Sequence, residues 1–274
     1  MSDPIIKVED VWFQYSPEVV ALKDINLEIN TGEILALIGQ NGGGKTTLAK
    51  HFNGLLKPTK GRVLAAGMDT KETPTHMIVS KVGYVFQNPA HQIFMSTVYE
   101  EVAYGPRNLE LSEEEVDKRV KEALRVVGLE GTEEMHPYDL DYGKRKLLTV
   151  ASILSMDPEV FVLDEPTTGQ DHVGRRVLSD LCIKLNKEGK TVVVITHDMR
   201  FVARTVKRVV LMADGRILKD GSVEDVLYDY ETLRKAFIRP PQVVELNLRL
   251  GRFPERFLTV NEAAEVIRNV LKPR

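Results

Sequence analysis

The sequence holds one cysteine in 274 residues, Cys182. A single thiol rules out an internal disulfide and a thiolate metal cluster, and it suits a reducing compartment. Cys182 falls inside a helical pattern, where a buried small hydrophobe is the expected role. Long apolar runs are also missing. None approaches the roughly 18 residues that a membrane-spanning helix needs, and Thr191 to Ile195 suits a buried strand instead. Met1-Ser2-Asp3-Pro4 lacks the basic and apolar regions of a signal peptide. Neither sign of charge is in excess, with 37 Lys and Arg against 40 Asp and Glu and a net charge of −3. That balance offers no polycation for nucleic acid. Any membrane role must come through partners.

What is present is a globular composition, 43% hydrophobic and 28% charged, with no internal repeat. Ile5 to Phe13 is apolar and β-rich, and Leu22, Ile25, Leu27 and Ile29 nearly alternate up to the Thr31-Gly32 turn. Ile34 to Ile38 is continuously apolar, as in a strand buried on both faces of a parallel sheet. Thr46 to Phe52 reads as a helix and Val82 to Phe86 as a strand. Between about residues 90 and 151 the pattern turns helical. Ser112 to Glu115 forms a capping box there, and Gly128 stops the helix that follows. Strands return at Val160–Leu163, Thr191–Thr196 and Val209–Met212, with a helix over His172–Glu188 giving a βαβ rhythm. Asp214-Gly215 marks a hairpin turn. Arg239-Pro240-Pro241 breaks the pattern before two helices, Val243–Leu250 and Val260–Leu271, the second opened by a Thr259 to Glu262 capping box.

Two stretches carry chemistry. Residues Gly39, Gln40, Asn41, Gly42, Gly43, Gly44, Lys45 and Thr46 fit G-x-x-x-x-G-K-[ST] between a buried strand and a helix. Consecutive backbone N–H groups and a helix N-terminus then face an anion. Lys45 neutralises β- and γ-phosphate oxygens, and the Thr46 hydroxyl is a ligand for Mg²⁺. Phe161 to Leu163 delivers two acids, Asp164 and Glu165, to the carboxyl edge of the sheet, where open α/β folds bind ligands. Asp164 suits a Mg²⁺ shell, and Glu165 suits a general base on the attacking water. The other five histidines besides His197 (51, 76, 91, 136 and 172) show no ligand spacing and read as surface or packing residues.

Over residues 5 to about 235 the chain resembles an ABC transporter ATPase. The resemblance implies an α/β P-loop NTPase with a mixed-sheet core over 4–238, an inserted helical subdomain at about 90–151 and a C-terminal helical extension over 239–274. It gives Tyr15 the ring that stacks on adenine, and Thr47 a place in the nucleotide loop. Gln87 matches the loop glutamine that touches the metal site and the membrane partner. Thr168-Gly-Gln-Asp171 matches the loop that meets the opposing subunit, and His197 the histidine that contacts the γ-phosphate. ATP and Mg²⁺ are the implied cofactors. Proteins of this kind that act on nucleic acid or in translation carry two ATPase units or long coiled coils, and this chain has one P-loop and no sustained heptads.

One motif departs from the family. Its signature, L-S-G-G-Q, opens a helix and binds the γ-phosphate held by the other subunit. Here the stretch is Leu140, Asp141, Tyr142, Gly143 and Lys144. Asp141 puts a carboxylate where a serine hydroxyl faces the triphosphate, and two unit charges about 4 Å apart at an effective dielectric of about 20 repel by about 4 kcal/mol. Tyr142 adds bulk where glycine lets the backbone close in. The alternative is a remodelled loop that still serves through its amides and Lys144. The first reading implies a heterodimer with a paralogous ATPase that keeps a complete signature, and the second leaves a homodimer open.

Phe86 to Phe94 (FQNPAHQIF), Glu100 to Pro106, Thr167 to Asp171 and Pro240-Pro241-Gln242 resemble the ATPases of energy-coupling factor (ECF) transporters, importers of vitamins or transition-metal ions. This implies a membrane coupling protein, a separate substrate-binding membrane protein, and a peripheral position on the cytoplasmic face. A classical ABC importer or exporter, or a low-turnover regulatory subunit, would show the same nucleotide motifs.

Overall fold

A computed structural model describes residues 4–251, 253 and 255–271. The chain runs β1 (Ile6–Ser16), β2 (Val19–Ile29), β3 (Ile34–Gly39), α1 (Lys45–Phe52), β4 (Lys60–Ala65), β5 (Met68–Asp69), α2 (Thr75–Val79) and β6 (Val82–Val85). Helices α3 (Val98–Asn108), α4 (Glu113–Val127) and α5 (Tyr142–Leu154) follow. Then come β7 (Val160–Asp164), α6 (His172–Lys187), β8 (Thr191–Ile195), α7 (Met199–Thr205), β9 (Arg208–Ala213) and β10 (Arg216–Ser222). Helices α8 (Val223–Leu227), α9 (Tyr230–Lys235), α10 (Gln242–Leu250) and α11 (Val260–Leu271) close the described chain.

The main sheet has the order β10-β9-β3-β8-β7-β6. All its pairings are parallel except β9–β10. That antiparallel hairpin turns at Asp214 and Gly215, both at positive φ, and it makes the sheet mixed, as the sequence implies. A second, antiparallel sheet has the order β2-β1-β4-β5.

Both faces of the main sheet are covered, which explains its continuous apolar strands. Ile34, Ala36 and Ile38 of β3 join one core with α3–α6, while Leu35 and Leu37 point the other way to the second sheet and α1. β8 divides the same way, Val192 and Val194 against Val193 and Ile195. Parallel strands covered on both sides bring every strand end to one edge, and the site is built there. Strand β4 carries no clear alternation in sequence; it begins Lys60-Gly61-Arg62 and buries Val63 and Ala65 only because β1 lies beside it.

The helical insertion extends to Leu154, three residues beyond the expected 151. The box expected at Ser112 is only half formed. Ser112 Oγ accepts from the Glu115 N–H, but the Glu115 carboxylate turns away to the Arg119 guanidinium at 2.9 Å. A charged partner one turn on competes with the reciprocal bond to the cap. Gly128 ends the helix at φ 75°, as expected.

Past the Pro240-Pro241 break, α10 and α11 pack back through a polar knot. Tyr228 Oη accepts from Asn247 Nδ2 at 3.0 Å and from the Phe257 N–H at 2.8 Å. Phe257 is itself buried. The Thr259–Glu262 box is complete, with Thr259 Oγ1 accepting from Glu262 N–H and Glu262 Oε2 from Thr259 N–H. Cys182 is fully buried and burial pushes its thiol up to about 12, as fits a packing residue.

Candidate nucleotide site

The loop between β3 and α1 reaches its shape through glycine. Gly39 has φ 146°, and a Cβ there would sit 2.0 Å from Met212 O. Gly44, the residue before α1, has φ 95° and would bring a Cβ within 2.8 Å of Ala21 O. Only glycine fits both places. The β9–β10 turn braces the loop from behind: Gly215 N–H donates to Gly43 O at 3.3 Å, and Gln40 Nε2 to Asp214 Oδ1 at 3.3 Å. No side chain caps α1 and no acid lies in its first turn. Its N-terminal N–H groups and the positive end of its dipole therefore face the cleft without a built-in anion.

A cleft of about 560 Å³ opens over this loop, lined by Tyr15, Val19–Ala21, Asn41 to Thr47, Gln87, Glu165 and Ile195. It gathers residues separated by up to 180 positions. Lys45 Nζ donates to Gly39 O at 2.8 Å and Gln40 O at 2.9 Å. Burial lowers its pKa, against the attraction of Glu165 and Asp164. Thr46 Oγ1 donates to Asp164 Oδ1 at 3.2 Å. The other Asp164 oxygen accepts from Tyr84 Oη at 2.8 Å. Tyr84 is buried, and burial together with the Asp164 charge raises its pKa, so it stays a donor.

Glu165 sits just beyond β7 at φ 46°, a region costly for a residue with a side chain. Its N–H donates to Ile195 O at 2.8 Å, which fixes the turn. The residue is 7% exposed. His197 Nδ1 lies 2.9 Å from Glu165 Oε2. That contact is close but misaligned, since Oε2 is buried without a hydrogen-bond partner. A carboxylate oxygen in that condition is a ready acceptor for a water proton.

Tyr15 stands at the lip of the cleft, 57% exposed. Its hydroxyl bonds Thr47 Oγ1 at 3.1 Å, and its ring meets Phe13 edge-on at 4.9 Å. That leaves a ring face for a flat heterocycle. Gln87 is exposed and lines the same cleft.

None of Leu140, Asp141, Tyr142, Gly143 and Lys144 lines the cleft. Leu140 is buried in the core. Asp141 caps α5, Oδ1 accepting from the Lys144 N–H at 2.8 Å, and Lys144 Nζ lies 3.8 Å from Oδ2. The carboxylate thus neutralises its own helix end. Tyr142 packs on Gly169, where an added Cβ would lie 2.5 Å from the ring, and Gln170 Nε2 donates to Gly143 O at 2.8 Å. The signature turn and the Thr168–Asp171 loop are thereby one unit. Asp171 caps α6 through the Gly174 N–H at 2.7 Å.

Three residues beyond the sequence reading complete the arrangement. Tyr84 holds Asp164, as described. Lys146 is fully buried on α5, its Nζ donating to Phe86 O and Gln87 O at 2.8 Å and to Asp164 O at 3.0 Å. Burial lowers its pKa to about 8 against the pull of Asp164 and Glu165. Gln92 accepts from the Phe86 N–H and donates to Thr149 O and Ser152 Oγ. Lys146 closes the basic run Lys144-Arg145-Lys146, so its local sequence held no signal of burial. Among the described residues no histidine, cysteine or acid cluster offers a ready-made metal centre. His51 is buried beneath the loop, and His76, His91, His136 and His172 are exposed.

A family model described as "ABC transporter" matches residues 22–168. The chain is 45% identical to the energy-coupling factor transporter ATP-binding protein EcfA of Methanocaldococcus jannaschii, over 98% of this chain and 99% of the relative. It is 49% identical over 95% of its length to an ABC transporter ATP-binding protein of Caldanaerobacter subterraneus subsp. tengcongensis, but spans only 45% of that longer relative. Among solved structures, CbiO1 of Clostridium perfringens, described as part of the ABC transporter complex CbiONQ, aligns with a TM-score of 0.76 and 37% identity over 89% of this chain and 99% of that one. The loop, the paired acids and these likenesses agree: the chain belongs to the ABC transporter ATPases, in the branch that includes the energy-coupling factor proteins.

Proposed function

We propose that this chain is the Mg²⁺-dependent ATP-hydrolysing subunit of an ECF-type importer, peripheral at the cytoplasmic face of the membrane. The buried, donor-free Glu165 Oε2 beside His197, at the mouth of the phosphate loop, carries the reading. The loop amides and Lys45 hold the β- and γ-phosphates, and the Tyr15 ring takes the adenine. Glu165 accepts a proton from the attacking water while Lys45 and His197 stabilise charge at the γ-phosphate. Thr46 Oγ1 and Asp164 Oδ1 form a hard all-oxygen pair that fits Mg²⁺, with Gln87 within the same cleft. Bound there, Mg²⁺ would supply charge neutralisation at the triphosphate.

Replacing Glu165 with Gln tests this. ATP binding is expected to persist while hydrolysis falls about a thousandfold. Near-normal turnover in Glu165→Gln removes Glu165 from the role.

The partner ATPase in this proposal is a paralogue with a complete signature, because Asp141 already fills the helix end that the family leaves for a phosphate. A membrane coupling protein and a separate substrate-binding membrane protein, for a vitamin or a transition-metal ion, complete the assembly. Mass and ATPase activity of the purified chain, alone and co-expressed with such a paralogue, decide the pairing. Activity only in the mixed dimer supports it; two equal sites in the chain alone overturn it and favour a homodimer.

A further inference from the structure

Lys146 has no part in the chemistry above, yet it touches three of its components. It is a charged group with no exposed surface. It donates to Phe86 O and Gln87 O, at the start of the glutamine loop, and to Asp164 O, at the end of the acid strand. The residue itself lies on α5, four positions beyond Tyr142 in the signature turn. An ammonium has three donors, and all three are used.

One turn and two turns further along the same face of α5 stand Thr149 and Ser152. Gln92 donates to Thr149 O at 2.9 Å and to Ser152 Oγ at 3.0 Å, and its Oε1 accepts from the Phe86 N–H at 3.2 Å. The segment 86–92 is therefore held to α5 at both ends. Lys146 continues the connection across to β7 of the main sheet through Asp164 O. An aliphatic side chain of similar length fills the space but takes this donor from three carbonyls, the buried Asp164 O among them.

We propose that Lys146 is a positioning residue that fixes the reach of Gln87 to the metal side of the cleft and the orientation of the signature helix together. The proposal rests on the nucleotide-site reading above, because it is that site whose parts Lys146 ties. Without the tie, the P-loop still binds phosphates. What is lost is the alignment of Gln87 and Asp164 with them, which is a property of turnover rather than of binding.

The test uses the full chain with Lys146→Met and Lys146→Arg. Hydrogen-exchange mass spectrometry on residues 84–92 is expected to show about tenfold faster exchange in Lys146→Met, with residues 39–47 unchanged. ATP affinity in the presence of a Mg²⁺ chelator stays within about twofold of wild type, while kcat of the ATPase-active assembly falls between about tenfold and a hundredfold. Lys146→Arg, which keeps the donors, restores the protection and at least part of kcat. If Lys146→Met does not fold, Lys146→Gln carries the same comparison with one amide donor kept. Unchanged exchange at 84–92 overturns the proposal. So does a loss of chelated ATP affinity in step with kcat, which means general damage. If the wild-type chain bound no nucleotide the site reading would fall, and the exchange result would still decide the tie.

Discussion

The helices α1 and α5 begin alike, each after a loop at the N-terminal end of a buried segment, yet they end up as opposites. At α1 the cap is Gly44, with no side-chain acceptor and no acid in the first turn. At α5 the cap is Asp141, whose own carboxylate accepts from the Lys144 N–H. A helix N-terminus is an anion site only if its N–H groups lack an internal anion. One of these ends is therefore open to a phosphate and the other is occupied by its own side chain. On the proposed reading, the degenerate signature is not merely a lost contact. It substitutes a resident charge for a visiting one.

The open end is the more sensitive to mutation. Lys45→Ala removes the buried ammonium beside Gly39 O and Gln40 O and leaves the phosphates to the amides alone. ATP affinity is expected to fall by about 3 kcal/mol, more than a hundredfold, by calorimetry or a fluorescent analogue. Binding within threefold of wild type would mean that the loop amides suffice and that the lysine is not needed at the open end.

The closed end is the informative one. Asp141→Ser keeps a capping oxygen and removes the charge. The repulsion of about 4 kcal/mol expected from the sequence is an upper bound, because the carboxylate is 63% exposed and Lys144 stands beside it. With screening, hydrolysis by the chain alone should rise about tenfold. No gain in Asp141→Ser would turn attention to Tyr142 and its packing on Gly169 as the real obstruction.

The same contrast separates what could be read in the sequence from what could not. The glycine loop was legible because its spacing, the buried strand before it and the helix after it are all local. Asp164 and Glu165 were legible for the same reason. Tyr84 and Lys146 were not, since their partners lie 80 residues away for Tyr84 and 60, 59 and 18 away for Lys146. A buried tyrosine in a strand or a lysine in a helix becomes a positioning group only when a neighbouring chain segment presents an acceptor. Asp141 was visible, and its role as a cap adds to that reading. Aspartate is a preferred helix cap, and that local role accounts for one of its oxygens before any phosphate is considered.

A second difference lies underneath the two helices. Both bury a basic side chain, but Lys146 finds three acceptors, after β6 and at the end of β7, whereas His51 has one, Thr47 O at 2.7 Å on its own helix, and its Nε2 is without a partner. Burial accordingly lowers the His51 pKa to about 4. The folded chain then holds His51 neutral while the unfolded chain protonates below about pH 6.5, so protons favour unfolding between those values. Stability is full above pH 6.5 and is lost as pH falls toward 4, by about 2 kcal/mol at pH 5. Urea unfolding at pH 7 and pH 5 checks this. His51→Phe should remove that part of the pH dependence, and an unchanged slope would assign the acid loss to other groups.

The smallest effect tests whether Asp141 earns its position as a cap alone. Asp141→Ala deletes the acceptor for Lys144 N–H and should lower stability by about 1 kcal/mol, with Asp141→Ser within a few tenths of wild type. The carboxylate also faces the positive end of the α5 dipole, which adds to the loss and is screened by salt. Measuring both variants by urea unfolding at low and high salt therefore separates the hydrogen bond from the charge. A salt-independent loss in Asp141→Ala, together with unchanged stability in Asp141→Ser, makes the cap bond the whole structural contribution. The negative charge then has no stabilising role on its own helix, and any function it has must be exercised against the partner's nucleotide.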